Sequence, residues 1–539
     1  MLSALIFYTV LFVALAVVPA GLILAVLLFL EHERKLWQRM SPLVGPIGAA
    51  MAERPWVRRL QLRFPRSAGF LNHRLAPHDP WGLPWTLACV GILLGVWFFL
   101  GVMQDLVARD PLVVLDIRLH NAVPLFRSIA MTWIMLALTE LGSATVLSLL
   151  CLGLAAMALA RQLPRLAAAF MLALAGTGLV SVVLKSLFGF ARPLDAIVSV
   201  HEASFPSGHM LSGTVVYGLL AALLLGSRVH RGLRAVGVTL LLLVIVGIGL
   251  SRLYLGVHWP SDLLGSLALA LMALALLLFF LHYGGLVPGV DTFKLPRGSR
   301  ALQVAGTALA LMALIAVAAL TSQTKIIHAG PVAAARVIDL QALRTSLPSN
   351  LPRWSEDLVG GRMEPISLVF IGTEEELVAA FRRTGWLRAD LPTPLRVLRE
   401  GMAALQNQAD PTGPATPAFV ANQPQAITFE KPDAGSPSIR RRHHTRLWKT
   451  AYCLAPSCRP VWVATASFDV GMELSPLQHL PTHRIDTAID DERALIVADL
   501  TRVGATQEAS IVVSPPMRGM NAAGDPFTTD GRAVLLVLH

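Results

Sequence analysis

The sequence predicts a mainly α-helical, multi-pass membrane bundle followed by a soluble mixed α/β domain. Three observations predict it. Of 539 residues, 54% are hydrophobic and only 15% charged, against roughly a quarter charged in soluble domains, and mean hydropathy is +0.60. Apolar runs of the length a bilayer requires, about 20 residues, recur as far as Leu320. From about Ser322 no such run occurs, and Pro, Gly, Asp, Glu and Arg become frequent.

The expected spans are Leu5–Leu30, Trp85–Leu106, Ala144–Ala160, Leu166–Leu187, Met210–Leu225, Ala235–Leu250, Leu263–Leu281 and Leu302–Leu320. The first lacks the positive start of a cleavable signal and is followed by Glu31, Glu33, Arg34 and Lys35, so residues 1–30 are expected as a retained anchor. Ser128–Thr139 is apolar but short, and is expected as a re-entrant or surface helix. The boundaries that follow are a basic loop at 31–83, a membrane domain at 84–283, a linker with the last span at 284–321, and a soluble domain at 322–539.

The loops carry the formal charge of +11, which therefore points to membrane orientation and not to nucleic acid. Residues 31–83 hold nine Lys/Arg against four Asp/Glu. Arg161 and Arg165, then Arg228, Arg231 and Arg234, then Lys294, Arg297 and Arg300 mark further loops. With eight spans all four loops fall on one side, and the positive-inside rule makes that side cytoplasmic.

In the soluble part Ile366–Ile371 predicts a buried strand, and Thr373 with Glu376 a capping box that opens a helix over Glu374–Arg383. Gln408–Gln425 is expected as a loop. Val461–Phe468, Ala494–Leu500, Ile511–Ser514 and Ala533–Leu538 are expected as strands. Of the four cysteines, Cys89 and Cys151 lie in apolar runs and pack as small hydrophobes. The spacing of Cys453 and Cys458 suits a disulfide loop better than a metal clamp, provided the domain faces an oxidising compartment.

Three polar clusters stand at the mouths of apolar segments. In KSLFGFARP, Lys185 and Arg192 are seven apart, so both can face one side of a helix end before Pro193 stops it. Two such cations suit a phosphate, although the pair alone reads as a positive membrane flank. In FPSGH, Ser207 and Gly208 open a long helix whose N-terminus favours an anion, and His209 falls in its first turn. An ordinary Ser cap beside an interfacial histidine is an equal reading of that cluster. In SRLYLGVHWPSD, Arg252 closes one helix, and His258 and Asp262 lie four apart where the next begins. A carboxylate one turn from a histidine fixes its tautomer and leaves the other nitrogen free as a nucleophile. A structural His–Asp pair is the bland alternative, but ionisable groups near membrane depth are functional by default.

Taken together, Lys185–x6–Arg192–Pro193, Pro206–Ser207–Gly208–His209 and Ser251–Arg252–x5–His258–x3–Asp262 resemble the three-part signature of the type 2 phosphatidic acid phosphatase superfamily. The resemblance covers roughly Trp85–Tyr283. It implies a six-helix phosphatase core in which His258 is the nucleophile that becomes phospho-histidine, Asp262 orients it, and His209 protonates the leaving oxygen. Lys185, Arg192, Ser207, Gly208 and Arg252 would hold the phosphoryl oxygens. It further implies a lipid phosphate substrate, sensitivity to vanadate, and neither cofactor nor metal, since three fixed cations can supply the stabilisation that magnesium gives elsewhere.

RRRHHTRLW at Arg440–Trp448, VATASFDVG at Val463–Gly471 and THRID at Thr482–Asp486 resemble the LssY-type C-terminal domain, found fused to such phosphatases in bacterial membrane proteins. Larger fusions also carry a DedA-like domain, for which Met1–Leu83 is too short. His443, His444, Arg446, Asp469, His483 and Asp486 could form a second polar site, though a structural network is the readier reading. The expected protein is a bacterial inner-membrane lipid phosphate phosphatase acting at the extracytoplasmic face, with its C-terminal domain on that side. The alternatives are a phosphotransferase to a second lipid and a non-enzymatic lipid-binding or transport component. A vanadate-dependent haloperoxidase shares the signature, but those proteins are soluble.

Overall fold

The computed structural model of the chain describes residues 62–283 and 335–539, apart from single positions and short stretches such as 392–395, 434–439 and 475–480, with scattered positions before 62. The expected spans Leu5–Leu30 and Leu302–Leu320 lie outside the described residues. The chain divides into two units, one built on residues 128–329 with 13–108, the other on 330–539 with 109–127.

The first unit is helical. A short helix α1 (Pro65–Arg74) precedes α2 (Leu83–Ala108). After the segment that belongs to the other unit, α4 (Ile129–Glu140), α5 (Ala144–Ala160), α6 (Pro164–Phe188), α7 (Gly208–Gly226), α8 (Arg231–Tyr254) and α9 (Pro260–Tyr283) follow. Among the described residues, α2 and α6 to α9 are five helices long and apolar enough to cross a membrane; α4 with α5, a pair bent by 43° at its break, counts as a sixth only if the two form one span. The short apolar helix expected at Ser128–Thr139 is α4, the first member of this bent pair. The break is set by Ser143, whose hydroxyl accepts from Val146 N and starts a new helix.

Helix α7 is central. Leu211, Val215, Val216, Leu219 and Ala221 on it are sealed, packed against Leu147, Ala169, Leu267 and Ala270 from its neighbours. The outward faces are equally apolar: Leu93, Trp97 and Val107 of α2 and Leu179, Val182 and Leu187 of α6 are exposed. A helix apolar all round, with its backbone satisfied internally, is what lipid demands.

The second unit opens with α3 (Pro111–Ala122) and a 3₁₀ turn at Val123–Phe126. The buried Arg118 of α3 pairs with Glu356 and donates to Asn422 Oδ1 at 2.9 Å, so this segment is built into the strand-rich domain. The rest comprises β1 (Arg336–Ile338), α10 (Leu340–Thr345), β2 (Trp354–Glu356), β3 (Arg362–Pro365), β4 (Leu368–Ile371), α11 (Glu374–Arg383), β5 (Leu387–Arg388), β6 (Phe419–Val420), β7 (Gln423–Pro424), β8 (Ile427–Pro432), β9 (Arg442–Leu454), β10 (Arg459–Leu474), β11 (Pro481–Ile485), α12 (Ile489–Arg502), β12 (Thr506–Val512), β13 (Met517–Met520), β14 (Pro526–Thr529) and β15 (Arg532–Val537).

Seven of these strands run in the order β12-β15-β4-β10-β9-β8-β5, with β1 beside β9 and β11 beside β10. Strand β4 is an unbroken apolar run because both its faces are covered. Leu368 and Phe370 meet Leu377 and Phe381 of α11 and Ile496 of α12, while Val369 and Ile371 meet Leu343 of α10. The capping box of Thr373 and Glu376 starts α11 at Glu374.

Two expectations fail here. Ala494–Leu500 is helical, within α12: Ile489, Ile496 and Leu500 fall on its buried face, and Asp490, Asp491 and Glu492 fill its first turn. Gln408–Gln425 is not all loop, for β6 and β7 form a tight hairpin through Ala421 and Asn422, both at positive φ.

Candidate active site

Helices α6 and α8 end, and α7 and α9 begin, at the same end of the helical unit. This brings the three clusters together. Lys185, in the last turn of α6, is bonded through Nζ to Glu202 Oε2 at 2.5 Å. Arg192 follows in the loop and is tied to it: Nε donates to Glu202 O at 2.7 Å and Nη2 to Ala203 O at 3.2 Å. Arg252, from the last turn of α8, is 5% exposed and donates through Nη1 to Thr139 Oγ1 at 2.8 Å.

His258 lies between α8 and α9 and is 1% exposed. Its Nδ1 stands 3.1 Å from Asp262 Oδ2, an oxygen that also accepts from Ser204 Oγ at 2.5 Å and Trp259 N at 2.9 Å. The carboxylate therefore holds the proton on Nδ1, and the lone pair of Nε2 faces Arg192 Nη1 at 3.2 Å. Burial, then the charges of Arg252, Arg192 and Lys185, hold the ring well below its ordinary pKa. Three cations act on one neutral imidazole, which is the condition a nitrogen nucleophile needs.

The second cluster is anchored from behind. Phe205 is fully buried, its ring meeting those of Phe99, Phe188 and Phe190 at 5.7–5.9 Å. Gly265 makes room for it, since a Cβ there would lie 2.4 Å from Phe205 Cε2. Ser207 sits at the N-cap of α7 with its N–H given to Ser266 Oγ at 2.8 Å. Its buried hydroxyl has no hydrogen-bond partner among the described residues, so it is a free donor at a helix N-terminus. Gly208 and the half-buried His209 follow in the first turn.

Three contributors escaped the sequence reading. Ser204 and Glu202 approach through the fold of their loop and carry no local signature. Thr139 is followed by Glu140, 3% exposed, and a carboxylate at the end of an apolar run was the available signal.

Residues 166–285 match the PAP2 superfamily, and residues 348–533 match the LssY C-terminus. The chain carries a PAP2 domain and an LssY C-terminal domain. Over 109 residues it is 39% identical to phosphatidylglycerophosphatase B of Bacillus subtilis (strain 168), covering 20% of this chain and 51% of that protein. Over 129 residues it is 35% identical to decaprenylphosphoryl-5-phosphoribose phosphatase of Mycobacterium tuberculosis (strain ATCC 25618 / H37Rv), covering 22% and 66%. The chain thus spans about half the length of the first relative and just under two thirds of the second. The crystal structure of a transmembrane PAP2 type phosphatidylglycerolphosphate phosphatase from Bacillus subtilis aligns at TM-score 0.32 and 25% identity, over 36% of this chain and 96% of that one.

In the LssY domain the polar residues converge on Asp469. His444 Nδ1 lies 3.2 Å and His483 Nδ1 3.3 Å from its carboxylate, and Arg442 Nε donates to it at 3.3 Å. Arg442 also donates to Glu430 at 2.7 Å, and Arg446 to Glu364 at 3.2 Å. His443 pairs instead with Glu492 at 2.8 Å, and Asp486 caps Ala488 N, outside the cluster. Ser467 Oγ stands 2.7 Å from His444 Nε2, which gives the trio Ser467, His444 and Asp469 the outline of a hydrolase triad.

Protonation argues against that role. Burial pushes the His444 ring down, but the neighbouring carboxylates of Asp469, 3.2 Å from Nδ1, and Glu364 outweigh it and raise its pKa to about 9. A protonated ring donates from both nitrogens, so Ser467 accepts from Nε2 and gives its own proton to Glu364 at 3.0 Å. Glu364 also offsets the approach of Arg446 to 3.1 Å from the ring. With its proton given to Glu364, the Ser467 hydroxyl is not set to give it to His444. Cys453 and Cys458 are joined by a disulfide across the β9–β10 turn.

Proposed function

We propose that the chain is an integral membrane phosphatase that hydrolyses a lipid phosphate or lipid pyrophosphate through a phospho-histidine on His258, without a metal, at the extracytoplasmic face. The observation that carries this reading is the placement of the His258 ring, with Nδ1 held by Asp262 at 3.1 Å and Nε2 turned toward Arg192 at 3.2 Å.

Nε2 attacks phosphorus, an N–P bond forms as the P–O bond to the lipid breaks, and His209 gives its proton to the departing oxygen. Asp262 stabilises the imidazolium character that develops on the ring. Lys185, Arg192 and Arg252 hold the charge on the phosphoryl oxygens, with the Ser207 hydroxyl and the first N–H groups of α7 beside them. Water then attacks phosphorus, giving its proton to His209, and the N–P bond breaks to release phosphate and the neutral ring. Both relatives are named as phosphatases of lipid-linked substrates, which supports a lipid phosphate as the substrate class.

The face follows from charge. Arg161 and Arg165 join α5 to α6, and Arg231 and Arg234 open α8, at the helix ends opposite the clusters. The positive-inside rule makes those ends cytoplasmic. The apolar run Leu302–Leu320 would then return the chain, so the LssY domain shares the oxidising compartment in which a disulfide persists.

The test uses purified full-length protein with phosphatidic acid, phosphatidylglycerol phosphate, undecaprenyl pyrophosphate and lipid A. Wild type releases phosphate from at least one, is inhibited by vanadate, and forms an acid-labile phosphoprotein. His258→Ala does none of these, and unchanged phosphate release by that variant would refute the reading.

A further inference from the structure

We infer that the break in the bent pair, Thr139–Ser143, is a fourth wall of the phosphate site, with Thr139 the residue that positions Arg252. The inference rests on the reading of Arg252 as a phosphate-holding cation.

Arg252 is an awkward charge to place. It is buried at 5% exposure beside Arg192, whose like charge repels it. Its Nε has no hydrogen-bond partner among the described residues. What holds it comes from the end of α4: Thr139 Oγ1 accepts from Nη1 at 2.8 Å, and the buried Glu140 attracts the guanidinium. A buried cation with one side-chain acceptor, pushed by a neighbour of the same sign, loses its orientation when that acceptor is removed. Arg252 is also the first of the three charges acting on the His258 ring. Its placement therefore decides both where phosphoryl oxygens are held and how the nucleophile is poised.

The same break touches the site a second time. A Cβ at Gly142 would lie 2.8 Å from Ile248 Cγ2, 3.2 Å from His209 O and 3.3 Å from His209 Cβ. Only glycine lets the bend press against the turn that carries His209. Leu141 O in turn accepts from Tyr217 OH of α7 at 2.8 Å. One five-residue break thus reaches Arg252 on one side and His209 on the other, which a straight helix through residues 129–160 could not do.

The experiment is a double-mutant cycle on the full-length enzyme, read as kcat/KM and as the inhibition constant of orthovanadate, which imitates pentavalent phosphorus. Thr139→Val, which keeps shape and removes the acceptor, lowers kcat/KM about 10- to 100-fold, the scale of one hydrogen bond to a charged group, and weakens vanadate by a similar factor. Thr139→Ser restores most of both. In an Arg252→Ala background, Thr139→Ala costs less than about twofold further, because its partner is gone. Additive losses in that background, or Thr139→Val with wild-type kcat/KM and vanadate inhibition, would overturn the inference. Should Thr139→Val fail to fold, the Thr139→Ala cycle decides alone. Wild type that hydrolyses no lipid phosphate, or His258→Ala that keeps full activity, would instead remove the underlying reading.

Discussion

Ser204 donates its hydroxyl to Asp262 Oδ2 at 2.5 Å, the same oxygen that holds His258 Nδ1 at 3.1 Å. The two bonds fix the carboxylate from both sides, so the ring orientation depends on a serine three residues before the FPSGH proline-serine pair is complete. Replacing it by alanine leaves the buried carboxylate with one donor fewer and the ring less firmly aimed. Ser204→Ala should lower kcat about 10- to 100-fold with KM near the wild-type value, because the cations proposed to hold phosphate are untouched. Steady-state kinetics on one lipid phosphate checks this, and a change confined to KM would contradict it.

Burial and three neighbouring cations hold the His258 ring well below 6.5, and this sets a pH signature. The ring stays neutral through the neutral range, so any acid-side loss of kcat/KM due to His258 lies well below pH 6.5. Arg252→Gln removes one of the charges and should move that limb upward. The sign for stability is the same: between its depressed folded value and 6.5 the unfolded chain takes up a proton that the folded chain refuses, so the fold gains stability as pH rises through that window. A pH–rate profile of wild type and Arg252→Gln is the measurement. An unshifted limb would place the acid-side group elsewhere.

How far the sequence foretold this architecture depends on whether the signal was local. Spans such as Leu166–Leu187 and Leu263–Leu281 were legible because one uninterrupted apolar run suffices to define each. The bent pair α4 and α5 was read as two separate segments, Ser128–Thr139 and Ala144–Ala160, because Glu140 and the Gly142–Ser143 break interrupt its apolar pattern. Helix α12 was misread because ALIVADL carries strand-forming residues, while its helical period shows only when Ile489 is counted with Ile496 and Leu500. The three clusters of the site could be seen because each is contiguous. Thr139, Glu202 and Ser204 could not, since their meaning lies in partners up to 113 residues away. In the LssY domain, His444 and Asp469 were visible as polar residues, but Glu364, Glu430 and Glu400, the buried carboxylates around them, are scattered through the chain.

Those carboxylates give the LssY domain its own pH dependence. Burial raises Glu400 to about 8 and Glu430 to about 7, against the partly opposing pull of Arg442. A carboxyl raised in the fold binds its proton more tightly there than in the unfolded chain, so its contribution is full below about 4.5 and is lost as pH rises toward 8. Glu364 runs the other way, its value lowered to about 2 because Arg446 and His444 outweigh burial, and its contribution is lost as pH falls. The domain should thus be most stable in mildly acidic solution, near pH 4.5, and lose stability from there to about pH 8. Glu400→Gln, which keeps the shape and removes the titration, should flatten that decline. Thermal unfolding of the full-length protein across this range is the check, and identical slopes for the two proteins would contradict it.

The disulfide between Cys453 and Cys458 closes the tip of the β9–β10 hairpin, where β1 also pairs in parallel with Tyr452–Leu454. The hairpin is the spine of the sheet, since β9 and β10 pair from Arg442 with Asp469 to Leu454 with Arg459. A covalent tie at the tip restricts the unfolded chain more than the folded one. For so short a loop the loop-entropy relation gives about 2 kcal/mol. The polar network around Asp469 lies at the far end of the same two strands, so reduction should fray the tip while leaving that network paired. The expected result is a lower unfolding midpoint for Cys453→Ser/Cys458→Ser, matched by wild type under reductant, with amide exchange faster at residues 452–460 than at 442–446 and 465–469. Uniform loss of protection along both strands would mean that the tie supports the whole sheet.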